Sequence, residues 1–153
     1  MTLEGAAAEQ MSLFSRLQGL NALQWRYLCA AVVLLPVIDV SLRRVGYQRT
    51  LAMLARRARR TGAAATDIDP EALAEPIARM VSLVGRRSLW RTTCLRQALA
   101  LWFFLARRGV ETEVRIGVEK SENGDFAAHA WVERNGHVLI GGEHVQQRYV
   151  VLR

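Results

Sequence analysis

At 153 residues the chain has the length of one ordinary domain and can bury a real hydrophobic core. Apolar residues make up 51% and charged residues 23%, a normal globular balance. The formal charge of +7 is almost all arginine, since Lys120 is the only lysine; it admits nucleic acid, anionic lipid or an acidic peptide as partners without selecting among them.

Cys29 and Cys94 belong to no CxxC pair, which excludes a disulfide framework and a structural zinc site. A reducing, cytoplasmic setting is therefore expected. Met1-Thr2-Leu3-Glu4 is no basic region leading into an apolar run, so no signal peptide is expected.

Residues 1–20 are weakly patterned, with a short helix expected around Met11 to Leu20. Leu23 to Val40 is far more apolar, and Tyr27 to Ile38 carries no charge, with Pro36 interrupting it. A spanning helix needs about 20 apolar residues. This run is shorter and reads as a buried or partner-facing helix, with no stable membrane span. Arg43, Arg44, Arg49, Arg56, Arg57, Arg59 and Arg60 follow, and the last four suit a helix C-terminus. Tyr47 is the block's single aromatic, so no stacking platform for nucleic acid is present.

Residues 61–67 read as a linker. Asp69-Pro70-Glu71 then starts a helix, with Asp69 as N-cap and Pro70 in the first position. Leu73, Ile77, Met80, Val81 and Val84 follow at helical spacing; Pro76 is expected to kink this helix or mark a later start, and Gly85 to end it. The next helix, from about Thr93 to Arg108, is apolar nearly all round and therefore central. Gly109 closes it.

There the period changes. Val110, Thr112, Val114, Ile116 and Val118 alternate with Glu111, Glu113 and Arg115, the pattern of a strand with one wet face. Residues 121–125 form a turn, Phe126 to Arg134 a strand, Asn135-Gly136 a tight hairpin, and His137 to Ile140 the returning strand. Tyr149 to Leu152 is the last strand. Helices followed by an antiparallel sheet make an α+β domain.

Cys94 is the candidate nucleophile. Thr92 or Thr93 can cap its helix, which places the thiol in the first turn, where unpaired N–H groups and the helix dipole favour a thiolate. Arg91 and Arg96 add to this if they approach, and the same N–H groups can receive an oxyanion. The bland alternative is a buried structural cysteine. His129, the one histidine in mid-strand, is the candidate general base, and a structural strand histidine is its bland alternative. For a third, orienting group the hairpin count sets His129 opposite Gly142, and Glu133 is too far along the strand. Glu143 is the candidate acid if Gly141-Gly142 forms a bulge; a backbone carbonyl and Asn135 are the other acceptors. No zinc-site spacing joins Cys94, His129, His137 and His144, so neither a metal nor a cofactor is expected.

Cys94-Leu95-Arg96-Gln97-Ala98-Leu99-Ala100-Leu101, Arg107-Arg108-Gly109-Val110, Ile116-Gly117-Val118 and Ala128-His129-Ala130-Trp131-Val132-Glu133 resemble the C-terminal peptidase domain of lasso-peptide B proteins, of the transglutaminase-like, papain-related group. The likeness covers residues 70–153 best, and the arginine-rich helices before them resemble the stand-alone form of that protein. It implies N-terminal helices, residues 1–65, packed on a transglutaminase-like core, residues 66–153, whose central helix carries Cys94 against a sheet carrying His129. It implies a leader peptidase, with Cys94 as nucleophile and His129 as general base, that frees the core peptide for macrolactam closure by a partner cyclase. The family's acid is an aspartate on the strand after the histidine, where this chain has Ile140, Gly141 and Gly142. The family's small leader-recognition domain has no counterpart in residues 1–60, so a separate chain is expected to deliver the precursor peptide. Tyr27 to Val40 is the expected docking surface. Other readings are a transamidase or amidase of the same fold, or a non-catalytic arginine-rich scaffold for peptide or nucleic acid.

Overall fold

Asn21 and Gln24 open the first helix by capping each other. The Asn21 N–H donates to Gln24 Oε1 at 3.0 Å, and the Gln24 N–H to Asn21 Oδ1 at 2.8 Å. Each side chain satisfies a donor that the helix leaves unpaired. The structure is a computed structural model that describes residues 19–60, 69–87, 93–120, 126–142 and 144–152. The capped helix is α1 (Ala22–Arg60). The linker at 61–67, the turn at 121–125 and most of the helix expected around Met11 to Leu20 lie outside the described residues.

The sequence suggested a break at Pro36; α1 breaks at Gly46 instead, where φ is 79° and ψ is 175°. Pro36 removes the hydrogen bond to the Val32 carbonyl, and both residues are exposed, so water can take that carbonyl. Gly46 is in a region that side chains with a Cβ rarely enter. In a straight helix Ser41 and Thr50 would lie roughly 13 Å apart along the axis. Their hydroxyls are 2.9 Å apart, so the two limbs of α1 turn sharply. Thr50, 1% exposed, donates to the Gly46 carbonyl at 2.8 Å and thereby satisfies a group the bend would orphan.

The second helix, α2 (Pro70–Arg87), begins where Asp69-Pro70 predicts. It passes through Pro76, because the carbonyl this frees belongs to exposed Ala72. It also passes through Gly85, the expected stop. That glycine serves close packing: a Cβ there would lie 2.4 Å from Gln97 Cδ on the next helix.

That next helix, α3 (Cys94–Ala106), is the centre of the molecule. Ala98, Leu99, Ala100 and Leu101 are each 0% exposed, and α1, α2 and the sheet all pack against it. Gly109, at φ 71°, ends it: the Val110 N–H reaches the Leu105 carbonyl and the Gly109 N–H the Ala106 carbonyl. This Schellman closure buries Val110 against the core and delays the first strand, which the alternation had started at Val110.

The strands are β1 (Glu113–Lys120), β2 (Phe126–Arg134), β3 (His137–Ile140) and β4 (Val150–Val151), antiparallel in the order β3-β2-β1-β4. A single-turn helix, α4 (Val145–Arg148), which the sequence reading missed, precedes β4. Ala130 and Val132 join the helical core, so α+β is the class. No helix among the described residues is long and apolar enough to cross a membrane.

Asp39 is 7% exposed and holds two arginines, Arg43 at 2.8 Å and Arg96 at 2.7 Å. The second pair ties α1 to the first turn of α3. Removing the carboxylate leaves the Arg96 guanidinium in a nearly dry site. Asp39→Ala is therefore expected to lower stability by about 3 kcal/mol in urea unfolding. Asp39→Ala with Arg96→Leu should cost less than the single change, because the less exposed of the two guanidinium groups that lose this carboxylate is then gone as well.

Candidate active site

Cys94 is the first residue of α3, with Thr93 extended at the cap position. The Thr93 hydroxyl makes no capping hydrogen bond. Its carbonyl takes the N–H groups of Arg96 and Gln97, while those of Cys94 and Leu95 find no backbone acceptor among the described residues. The half-buried thiol is thus beside open donors at the positive end of a helix.

His129 is brought to the same place by the sheet. It pairs with Gly117 of β1, and Cys94 and His129 both line one cavity of about 240 Å³. Gln97, one turn after Cys94, lines it too, as do Ser82 and Arg86 from α2 and the segment Ile140 to Gly142. Among the described residues no hydrogen bond joins Cys94 to His129.

The orienting contact comes from the main chain. His129 Nε2 lies 2.6 Å from the Gly141 carbonyl. A carbonyl can only accept, so Nε2 carries the proton and the neutral ring keeps its lone pair on Nδ1. The regular hairpin count, which put Gly142 opposite His129, is overturned by a bulge. Arg134 pairs with His137 and Glu133 with Val138, but Val132 pairs with Ile140, so Leu139 is the extra residue. That slip draws Gly141 back along β2. At φ 128° it lies against Trp131, where a Cβ would come within 2.3 Å of Trp131 Cβ. Glu143 lies outside the described residues.

An aromatic layer fixes the ring from the other side. His129 stacks on Tyr149 at 5.2 Å between centroids and lies 6.5 Å from Trp131. Gly117 makes room beneath, since a Cβ there would be 2.8 Å from both the Trp131 ring and Tyr149 Cβ. Trp131 is anchored in turn by Glu133, which accepts from Trp131 Nε1 at 2.5 Å and from Gln146 at 2.9 Å. Burial alone would raise the Glu133 carboxyl, but these hydrogen bonds and the nearby Arg115 outweigh it and hold it below its ordinary value.

Arg96, read from sequence as a neighbour favouring the thiolate, is engaged by Asp39 instead. Arg91 lies outside the described residues. Among the described residues, the cation that shares the cavity is Arg86. Arg86 carries no motif in the sequence, and only the packing of α2 on α3 brings it here; Gln97 comes with Cys94, one turn along the same helix. His137 is exposed at the hairpin, and exposed His144 has φ 63° ahead of α4.

A helix-end cysteine and a strand histidine thus line one small cavity, and residues 32–153 match the transglutaminase-like superfamily. The chain belongs to the transglutaminase-like superfamily. No curated protein and no solved structure matches it. The superfamily's members are typically cysteine peptidases and transglutaminases.

Two outcomes follow from this geometry. Gly141→Ala strains a left-handed position and pushes on Trp131, so a loss of about 2 kcal/mol is expected. The His129 ring nitrogens should then lose their fixed tautomer in ¹⁵N NMR; an unchanged spectrum would exclude the carbonyl as the orienting group. The Glu133 carboxyl, lowered from 4.5, stabilises the fold above that value. The benefit is lost as pH falls through its lowered folded value. The stability gap between the wild type and Glu133→Gln should therefore be constant well above pH 4.5 and close below it.

Proposed function

We propose that the protein is a cysteine peptidase that removes the leader from a ribosomally made lasso-peptide precursor. Cys94 is the nucleophile and His129 the general base. The observation that carries this reading is the shared cavity of the two side chains, with the imidazole held through Nε2 and its Nδ1 left basic.

In this mechanism the Cys94 thiol gives its proton to His129 Nδ1, and the thiolate attacks the scissile carbonyl carbon. The oxyanion is met by the open N–H groups at the start of α3, with the Gln97 amide as a further donor. His129 returns the proton to the departing amine as the C–N bond breaks. The core peptide leaves with a free N-terminus, and the leader stays on Cys94 as a thioester. Water, deprotonated by His129, then hydrolyses that ester and restores the thiol. A partner cyclase closes the macrolactam on the freed amine.

A separate leader-recognition protein supplies the precursor in this scheme. The exposed apolar side chains of α1, among them Trp25, Val33, Val37 and Val40, offer it a docking face. The Gly141 carbonyl takes the orienting role that Glu143 was expected to fill.

The test is mass spectrometry of a precursor incubated with the chain and its recognition partner. Cys94→Ala should abolish leader release and keep binding; cleavage that persists sinks the mechanism. Glu143→Gln should leave the rate within roughly threefold. A leader joined to an added amine, in place of the free acid, would make the enzyme a transamidase.

A further inference from the structure

Three cavities adjoin along the seam between α2 and β3. The one containing Cys94 and His129 shares Ser82 and Arg86 with a larger one of about 770 Å³. That one shares Glu75, Val138 and Leu139 with a third, of about 430 Å³, which reaches His137 at the hairpin. A groove therefore leaves the Cys94 cavity on one side and runs the length of β3.

Gly19, Leu20 and Gln24 border its middle part, and its two long walls differ in kind. One is β3, an edge strand whose outer backbone has no strand partner among the described residues. Such an edge can take an extended peptide by main-chain hydrogen bonds. The other is α2, which presents Arg86 and Arg79, both exposed and without a hydrogen bond or ion pair among the described residues. They are two turns apart on one helix face, roughly 10 Å. An extended chain covers that distance in about three residues. Glu75, one turn beyond Arg79, ends the positive stretch. Half-buried Leu83, Val138 and Leu139 supply apolar surface between the walls.

We propose that this groove binds the extended flank of the peptide substrate, and that Arg86 and Arg79 select carboxylates three residues apart on it. The assignment of the flank to a substrate rests on the peptidase reading of Cys94 and His129; the selection of an acidic peptide does not. A third carboxylate one step further is repelled by Glu75.

The probe is a fluorescein-labelled Gly-Ser peptide with two glutamates three positions apart, titrated by anisotropy into the full chain carrying Cys94→Ala. Changing both glutamates to glutamine should weaken binding about tenfold. Arg79→Glu with Arg86→Glu should do the same, and a peptide with lysines at the two positions should bind that variant better than it binds the parent. The control, Arg56→Glu with Arg60→Glu, makes the same change in net charge outside the groove and should leave binding unaltered. Equal binding of the glutamate and glutamine peptides overturns the proposal, and so does an equal loss in the control. Cleavage of the glutamate peptide by the wild-type chain is scored separately. Charge-selective binding without cleavage of this peptide keeps the groove and leaves the peptidase reading to the precursor assay with the recognition partner; precursor cleavage indifferent to the two arginines removes the groove and keeps the peptidase.

Discussion

A helix with no solvent on any side at Ala98 to Leu101 constrains everything else in this fold. Burial of such a segment requires cover from several directions, and α1, α2 and the sheet supply it. The same helix starts at Cys94, where the first two N–H groups have no backbone acceptor among the described residues. Its apolar body thus fixes the position of its polar end. Burial of the side chains at 98–101 gains of order 25 cal/mol per Å² of apolar surface, and it holds Cys94 at the cavity it shares with His129 and Ala130 of β2.

The layers around α3 meet at glycines. Gly85 lets Gln97 lie on α2, Gly117 admits Trp131 and Tyr149, and Gly141 lies against Trp131. In each case a side chain that lines or supports the cavity occupies the space a Cβ would need. The chain's polar interior follows a similar economy. Asp39, Thr50 and Ser41 are buried or half-buried, and each is bonded to a group on a neighbouring turn or element.

The hairpin was legible because Asn135-Gly136 suits few conformations other than the tight turn, with φ 50° and 79°. The helix start at Asp69-Pro70 and the stop at Gly109 were legible for similar reasons: local chemistry decides them. The bulge at Leu139 was not, since His137 to Ile140 alternates like any strand and the extra residue is set by packing of Gly141 on Trp131. Pro36 and Pro76 were misleading, because both lie where the carbonyl they free, of Val32 or Ala72, is on an exposed residue that water can reach, and packing keeps the helix going through them. The cysteine and histidine could be picked out from their elements. Arg86 could not, because its approach to Cys94 depends on how α2 crosses α3.

The contact from Gly141 to His129 has a consequence for how the site can change. An acid in the orienting role is a side chain, and one codon replaces it. A main-chain carbonyl is present whichever amino acid is encoded, so no substitution deletes the group; it can only be moved. Control of the imidazole is thereby transferred from the identity of one residue to the length of a strand. Inserting or removing one residue between Gly136 and Gly141 would shift the acceptor past the ring while leaving Cys94, His129 and their helix and strand intact.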